Sequence, residues 1–204
     1  MADINADRVR ANLERVREQI GDAVEICAAI KYVEASDLPA LAEAGITLVG
    51  ENRAQDLVAK QDEHGDLFDW DFIGALQSRK VKDVAPRVRL IHSVASESAL
   101  AQLEKHPANE ILVQVNVAGE EGKAGVALTE LGDFIARCPL PVAGLMTMPP
   151  FTEKPEDSRR YFARLAELAA EQGLERLSMG TSQDYAVAVE EGATIVRLGS
   201  VLYG

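Results

Sequence analysis

The sequence predicts an α/β fold, a single-domain (β/α)8 barrel of the TIM type carrying one extra helix at its N-terminus. Three observations lead there. Eight short runs rich in Val, Ile and Leu are spread along the 204 residues. Their spacing is nearly regular, and helical patterns fill the gaps between them. Most runs are continuous rather than alternating, as parallel strands require when helices cover one face and packed side chains the other. Eight such units favour a closed barrel over an open doubly wound sheet. The open sheet is the competing arrangement, because 204 residues lie at the compact limit for the barrel.

The elements follow in order. Ile4, Val9, Leu13, Val16 and Ile20 recur at helical spacing, and Gly21 supplies a left-handed stop. Strands are expected at 26–31, 47–50, 68–74, 90–94, 111–117, 142–148, 177–180 and 194–198. Ser36 and Asp37 precede a helix carrying Leu38, Leu41 and Ala44, which Gly45 ends. Tyr161, Phe162, Leu165 and Leu168 mark another between Ser158 and Gly173. Ser182 stands where an N-cap belongs for a helix running to Gly192. One domain, 1–204, accounts for the whole sequence.

Composition excludes several classes. The formal net charge is -12, from 33 acidic and 21 basic residues, and no basic stripe stands out. A field of that sign repels nucleic acid and anionic membrane. No apolar run approaches the ~20 residues of a membrane span. Cys27 and Cys138 sit in apolar stretches without metal-ligand spacing, which suits small core residues in a reducing compartment. A cytoplasmic protein is the expectation.

Barrel chemistry gathers at the C-terminal ends of the strands. There the sequence offers Lys31, Glu51 and Asn52, His92, Met146 to Met148, Thr181 and Ser182, then Arg197, Gly199 and Ser200. Lys31 directly follows an apolar run, so its stem is partly desolvated. That favours the neutral amine, which attacks aldehydes. A lysine that merely snorkels from a strand end into water is the plainer alternative, and position leaves both open.

The segments at 178–182 and 197–200 lie after strands seven and eight, where barrels commonly bind phosphate. Around a closed barrel that corner neighbours strand one. Pyridoxal 5′-phosphate carries both an aldehyde and a phosphate, and so suits the pair. Arg197 at the barrel mouth needs an acceptor, and a pyridine nitrogen is one. A guanidinium only donates, which leaves that nitrogen unprotonated and weakens the ring as an electron sink. A lone histidine after a strand is more often a structural hydrogen-bonder than a base, and His92 is left without a role. Glu51 could as easily cap the helix beginning near Arg53. The methionines read as apolar wall, and Lys123 as a solvated loop residue.

Taken together, AAIKYV around Lys31, GENRAQ at 50–55, FIGALQSRK at 72–80, HSVAS at 92–96, VQVNV at 113–117, GLMTM at 144–148, SMGTSQDY at 178–185 and the closing VRLGSVLYG resemble the pyridoxal-phosphate homeostasis protein family, the proline synthase co-transcribed type. The fold implied is like the N-terminal barrel domain of alanine racemase. By that resemblance Lys31 is the Schiff-base lysine and Arg197 faces the pyridine nitrogen. Ser182, Gly199 and Ser200 would hold the phosphate, with Asn52 and Met179 near the cofactor. The family usually has histidine before FIG, where this chain has Asp71, and methionine before the serine matched by Ser182, where it has Thr181.

Alanine racemase, which the domain resembles, adds a β-rich second domain and a second base from its partner subunit. This sequence runs out at Gly204 directly after strand eight, so the open face of the cofactor lacks an obvious acid–base group. Racemisation needs proton transfer on both faces. The expectation is a monomeric carrier of pyridoxal phosphate in vitamin B6 and amino-acid balance, with little or no racemase activity. Apo-enzymes that need the cofactor are its expected recipients. A weak racemase or other cofactor-dependent enzyme, a cofactor-free Schiff-base aldolase and a non-catalytic interaction module are the alternatives.

Overall fold

The computed structural model describes residues 4–204. Eight parallel strands close into a barrel in chain order: β1 (Glu25–Ala29), β2 (Leu48–Glu51), β3 (Asp69–Phe72), β4 (Leu90–Val94), β5 (Glu110–Gln114), β6 (Val142–Met146), β7 (Arg176–Thr181) and β8 (Ile195–Leu198). Closure comes from β8 against β1, with Cys27 opposite Arg197 and Ala28 opposite Leu198. All eight predicted strands are present, and the barrel prevails over the open sheet.

Two apolar layers explain why the strand runs are continuous. Along β1, Ile26 and Ala28 face outward into the large core shared with the helices, while Cys27 faces inward. On β8, Val196 and Leu198 face outward and Ile195 inward. Leu48, Leu90, Leu112 and Met146 complete the inner layer. Both faces of each strand are therefore buried, and neither can carry a solvated polar alternation.

The predicted opening helix is α1 (Ala6–Ile20), capped by the Asn5 side chain accepting from the Arg8 amide at 2.9 Å and stopped by Gly21 at φ 78°. Buried Asn12 donates Nδ2 to the carbonyls of Leu202 and Gly204 at 3.0 and 3.2 Å. The extra helix thus pins the short terminal helix α9 (Ser200–Tyr203) against the barrel. Around the outside lie α2 (Leu38–Glu43), α3 (Ala54–His64), α4 (Val81–Val84), α5 (Glu97–Leu103), α6 (Leu131–Ala136), α7 (Arg159–Glu171) and α8 (Tyr185–Glu190).

The N-terminal mouth of the barrel is shut by charge. Arg176 pairs with Glu25 at 2.7 Å and with Glu110, and Arg89 pairs with Glu25 and with Asp71 at 2.9 Å. With the bottom sealed and the middle filled, the C-terminal mouth is where the barrel opens to a ligand.

Phe162 on α7 is fully buried in the outer core. Phe162→Ala removes that ring and leaves a cavity, at a cost of about 3–5 kcal/mol in urea unfolding. A loss below about 1 kcal/mol would mean that α7 is not packed on the barrel as described.

Candidate functional site

Lys31 sits in the turn just beyond β1, two residues past the strand end rather than within it. The backbone there is tied down from behind. Lys60 on α3 is buried and donates Nζ to the Ile30 carbonyl at 2.7 Å and to Glu51 Oε2 at 2.6 Å. Glu51 Oε1 in turn accepts from the amides of Asn52 and Arg53 at 2.6 and 3.2 Å. A buried carboxylate that accepts three hydrogen bonds and faces an ammonium has its desolvation offset. The pair therefore fixes the loops that present Lys31 and Asn52. Glu51 is not a cap of α3, whose N-cap position is Arg53 without a side-chain cap; it braces the two residues that lead into the helix. The part played by Lys60 was missed, and its one signal is a lysine in line with Ala54 and Leu57 on the apolar face of α3.

Gly74 brings the loop after β3 against the same corner. A Cβ there would lie 1.9 Å from the Asn52 carbonyl oxygen, so only glycine permits the approach.

Six of the seven predicted site residues line one cavity of about 670 Å³ at the C-terminal mouth: Lys31, Asn52, Ser182, Arg197, Gly199 and Ser200. Met146 and Met148 form apolar wall, and Gln114 contributes a polar group that the sequence did not single out. Met179 is not brought there. It points outward, fully buried in the core beneath the helices, because its neighbour Ser178 takes the inward position. Lys123 is half-exposed and pairs with Glu120 at 3.5 Å.

Ser182 is not the N-cap of α8, a place that belongs to Asp184. Its hydroxyl accepts instead from the amides of Gly199 and Val201 at 2.9 and 3.3 Å, stitching the loop after β7 to the loop after β8. Among the described residues, the amides of Ser182, Gln183 and Ser200 have no hydrogen-bond acceptor, and all three residues line the cavity. Free N–H groups with two hydroxyls beside them can receive an anion.

Arg197 forms the floor. It donates NH1 to Ser178 Oγ at 2.6 Å, and NH2 to the Thr147 carbonyl at 2.9 Å and to Met148 Sδ at 2.9 Å. Burial lowers its pKa to about 10, which still leaves it cationic at neutral pH. Lys31 is half-buried, its Nζ 4.6 Å from the centroid of the Tyr32 ring, and it lines the same cavity. Among the described residues no three acidic, His or Cys side chains group as a metal site. No described helix is long and apolar enough to cross a membrane.

Comparison with known proteins agrees with this geometry. The sequence profile of the alanine racemase N-terminal domain matches residues 4–204. The pyridoxal phosphate homeostasis protein of Aquifex aeolicus is 38% identical over 97% of this chain and 95% of its own. That of Pseudomonas aeruginosa is 35% identical over 98% and 94%. The chain belongs to the pyridoxal phosphate homeostasis protein family. PipY of Synechococcus elongatus has been solved with PLP bound. It superposes with a TM-score of 0.85 at 30% identity, covering 96% of this chain and all of PipY. Alanine racemase of Clostridium difficile, at 14% identity and a TM-score of 0.78, shares the barrel.

Below the cavity His92 is wholly buried, which holds its pKa below the ordinary 6.5 although Asp71 pulls the other way. Burial acts to raise the Asp71 carboxyl, but hydrogen bonds from His92 and Arg89 outweigh it and hold the group below 3.8. The unfolded chain therefore binds protons that the native state refuses, first below pH 6.5 at His92 and then below 3.8 at Asp71. Stability is complete above 6.5 and falls on acidification. Urea midpoints should drop between about pH 7 and about pH 5, and His92→Gln should flatten that drop. An equally steep drop in the variant would clear His92 of it.

Proposed function

We propose that this protein binds pyridoxal 5′-phosphate as a Schiff base on Lys31 and serves vitamin B6 and amino-acid homeostasis by holding and handing on the cofactor. The observation that carries this reading is the meeting of an amine, an anion receptor and a cationic floor in one cavity. The likeness to PipY, solved with PLP, supports it.

The donor set fits each part of the ligand. Lys31 supplies the amine for the aldehyde. The free amides of Ser182, Gln183 and Ser200, with the hydroxyls of Ser182 and Ser200, would receive the phosphate. Arg197 retains N–H groups beyond its three bonds to protein and lines the cavity, so it can donate to the ring nitrogen. Met146 and Met148 flank the apolar ring, and Asn52 stands at its edge.

Pyridoxal phosphate supplies an electrophilic carbonyl and a ring that can accept electrons. Arg197 cannot give up its proton at neutral pH, so it keeps the ring nitrogen unprotonated and moderates that electron sink. Such a site suits retention and release better than carbanion chemistry. We place it in a cytoplasmic monomer of one domain, with cofactor-dependent apo-enzymes as recipients.

The test is an absorbance spectrum with added pyridoxal phosphate, before and after borohydride, followed by peptide mapping. A visible band that reduction abolishes, with the adduct on the peptide containing Lys31, is the expected outcome, and Lys31→Ala should trap none. A colourless protein, or an adduct scattered over surface lysines, would refute the reading.

A further inference from the structure

Between the salt-bridged base of the barrel and the cavity runs an unbroken line of polar side chains. Arg89 donates Nε to Asp71 Oδ1 at 3.1 Å and NH2 to Asp71 Oδ2 at 2.9 Å. His92 Nε2 lies 3.0 Å from Asp71 Oδ2, and His92 Nδ1 lies 2.7 Å from Ser178 Oγ. Ser178 Oγ also accepts from Arg197 NH1 at 2.6 Å. Asp71, His92 and Ser178 are fully buried, and Arg197 nearly so. Water does not reach them, so each donor and acceptor must be satisfied by its neighbours.

That requirement fixes every proton. A carboxylate only accepts, so the hydrogen of the imidazole ring belongs on Nε2. Nδ1 is then a bare lone pair and accepts the Ser178 hydroxyl hydrogen. The lone pairs of Ser178 are left for Arg197, which only donates. The opposite tautomer would set the lone pair of Nε2 against the Asp71 carboxylate and press two donors on Ser178. A doubly protonated ring would add a third cation between Arg89 and Arg197 in a site without solvent. The charged groups facing His92 are Asp71 from β3, Arg89 from the chain entering β4 and Arg197 from β8, with the thiol of Cys27 nearby on β1.

We infer that Asp71, His92 and Ser178 are positioning residues that orient Arg197 toward the cofactor ring, with the Asp71 carboxylate setting the direction of the hydrogen bonds. The inference rests on the reading that the cavity holds pyridoxal phosphate on Lys31. Arg197 has no carboxylate among its own contacts, which are a hydroxyl, a carbonyl and a thioether. Its orientation therefore depends on neutral acceptors that something else must hold in place. Asp71 does so from two hydrogen bonds away, through His92. A carboxylate there gives the line a fixed polarity, running from Arg197 down to Asp71.

Two measurements decide it. In the chain without cofactor, ¹⁵N NMR should show His92 as the neutral Nε2–H tautomer at neutral pH, and Asp71→Asn should weaken that preference. An Nδ1–H tautomer or an imidazolium would overturn the inference, whatever the cavity binds. In the loaded protein, Ser178→Ala should shift the ¹⁵N signal of the ring nitrogen of labelled pyridoxal phosphate. It should also speed cofactor release about tenfold, the scale of one hydrogen bond to a charged group. Ser178→Thr, which returns the hydroxyl, should restore both. An unchanged ring-nitrogen signal and release rate in Ser178→Ala would overturn the positioning role while leaving Lys31 as the attachment point. Failure to trap an adduct on Lys31 in the unsubstituted protein would instead overturn the cofactor reading, with the His92 tautomer still deciding the polarity of the line.

Discussion

Closure of the sheet, β8 against β1, is the constraint on which the site depends. Lys31 and the loops proposed to receive phosphate stand more than 150 residues apart in the chain, and nothing local brings them together. The register of Cys27 with Arg197 and of Ala28 with Leu198 does. It sets the turn that carries Lys31 beside the loop that carries Gly199 and Ser200. The hydroxyl of Ser182 then ties the loop after β7 to the same corner. An open sheet made from these strands would leave β1 and β8 at opposite edges, with the amine and the anion receptor separated by its full width. The helix α1 serves the same end from outside, since Asn12 holds the terminal helix that begins at Ser200.

A barrel interior is a costly place for charge, yet this one carries Asp71 and Arg197, with Arg89 reaching in from the partly exposed base, around an inner layer of Cys27, Leu48, Leu90, Leu112, Met146 and Ile195. The cost is contained because each ionised group is hydrogen-bonded and two of the three face an opposite charge. The exception is Arg197, which has neutral acceptors only, and whose pKa burial accordingly lowers. It keeps donor capacity for a ligand because the protein leaves that capacity unused. The buried Lys60–Glu51 pair follows a different rule. There the charges meet directly, and the result is rigidity in the two loops at the mouth.

The strands were legible because burial on both faces leaves unbroken apolar runs, but their ends were not. Ile30, Ile73, Val115 and Val117 extend the runs beyond the last ladder residues. They stay buried or half-buried there, and the amides of Ile30, Ile73 and Val115 still donate to the carbonyls of Gly50, Glu51 and Met146, so the apolar runs outlast the regular ladder. Inward and outward parity was equally hidden. With both faces apolar, nothing in 177–180 says that Ser178 points in and Met179 out, so nothing local corrected the place near the cofactor that the family resemblance implied for Met179. Ser182 was read as a local cap because its acceptor role is common. Its true donors lie 17 and 19 residues downstream, which only the fold can reveal. The line from Asp71 to Arg197 escaped for the same reason, since its members come from four different strands. The meeting of Lys31, Ser182, Arg197, Gly199 and Ser200 at one mouth was legible because barrel topology assigns strand ends to one face before any contact is known.

The most direct test of the whole arrangement is a crystal structure of the protein grown with pyridoxal phosphate. Continuous density from Lys31 Nζ to the ligand, its phosphate against Ser182 and Ser200 and its ring nitrogen facing Arg197, is the expected result. A phosphate elsewhere on the surface, with the Lys31 amine turned out of the mouth, would contradict it.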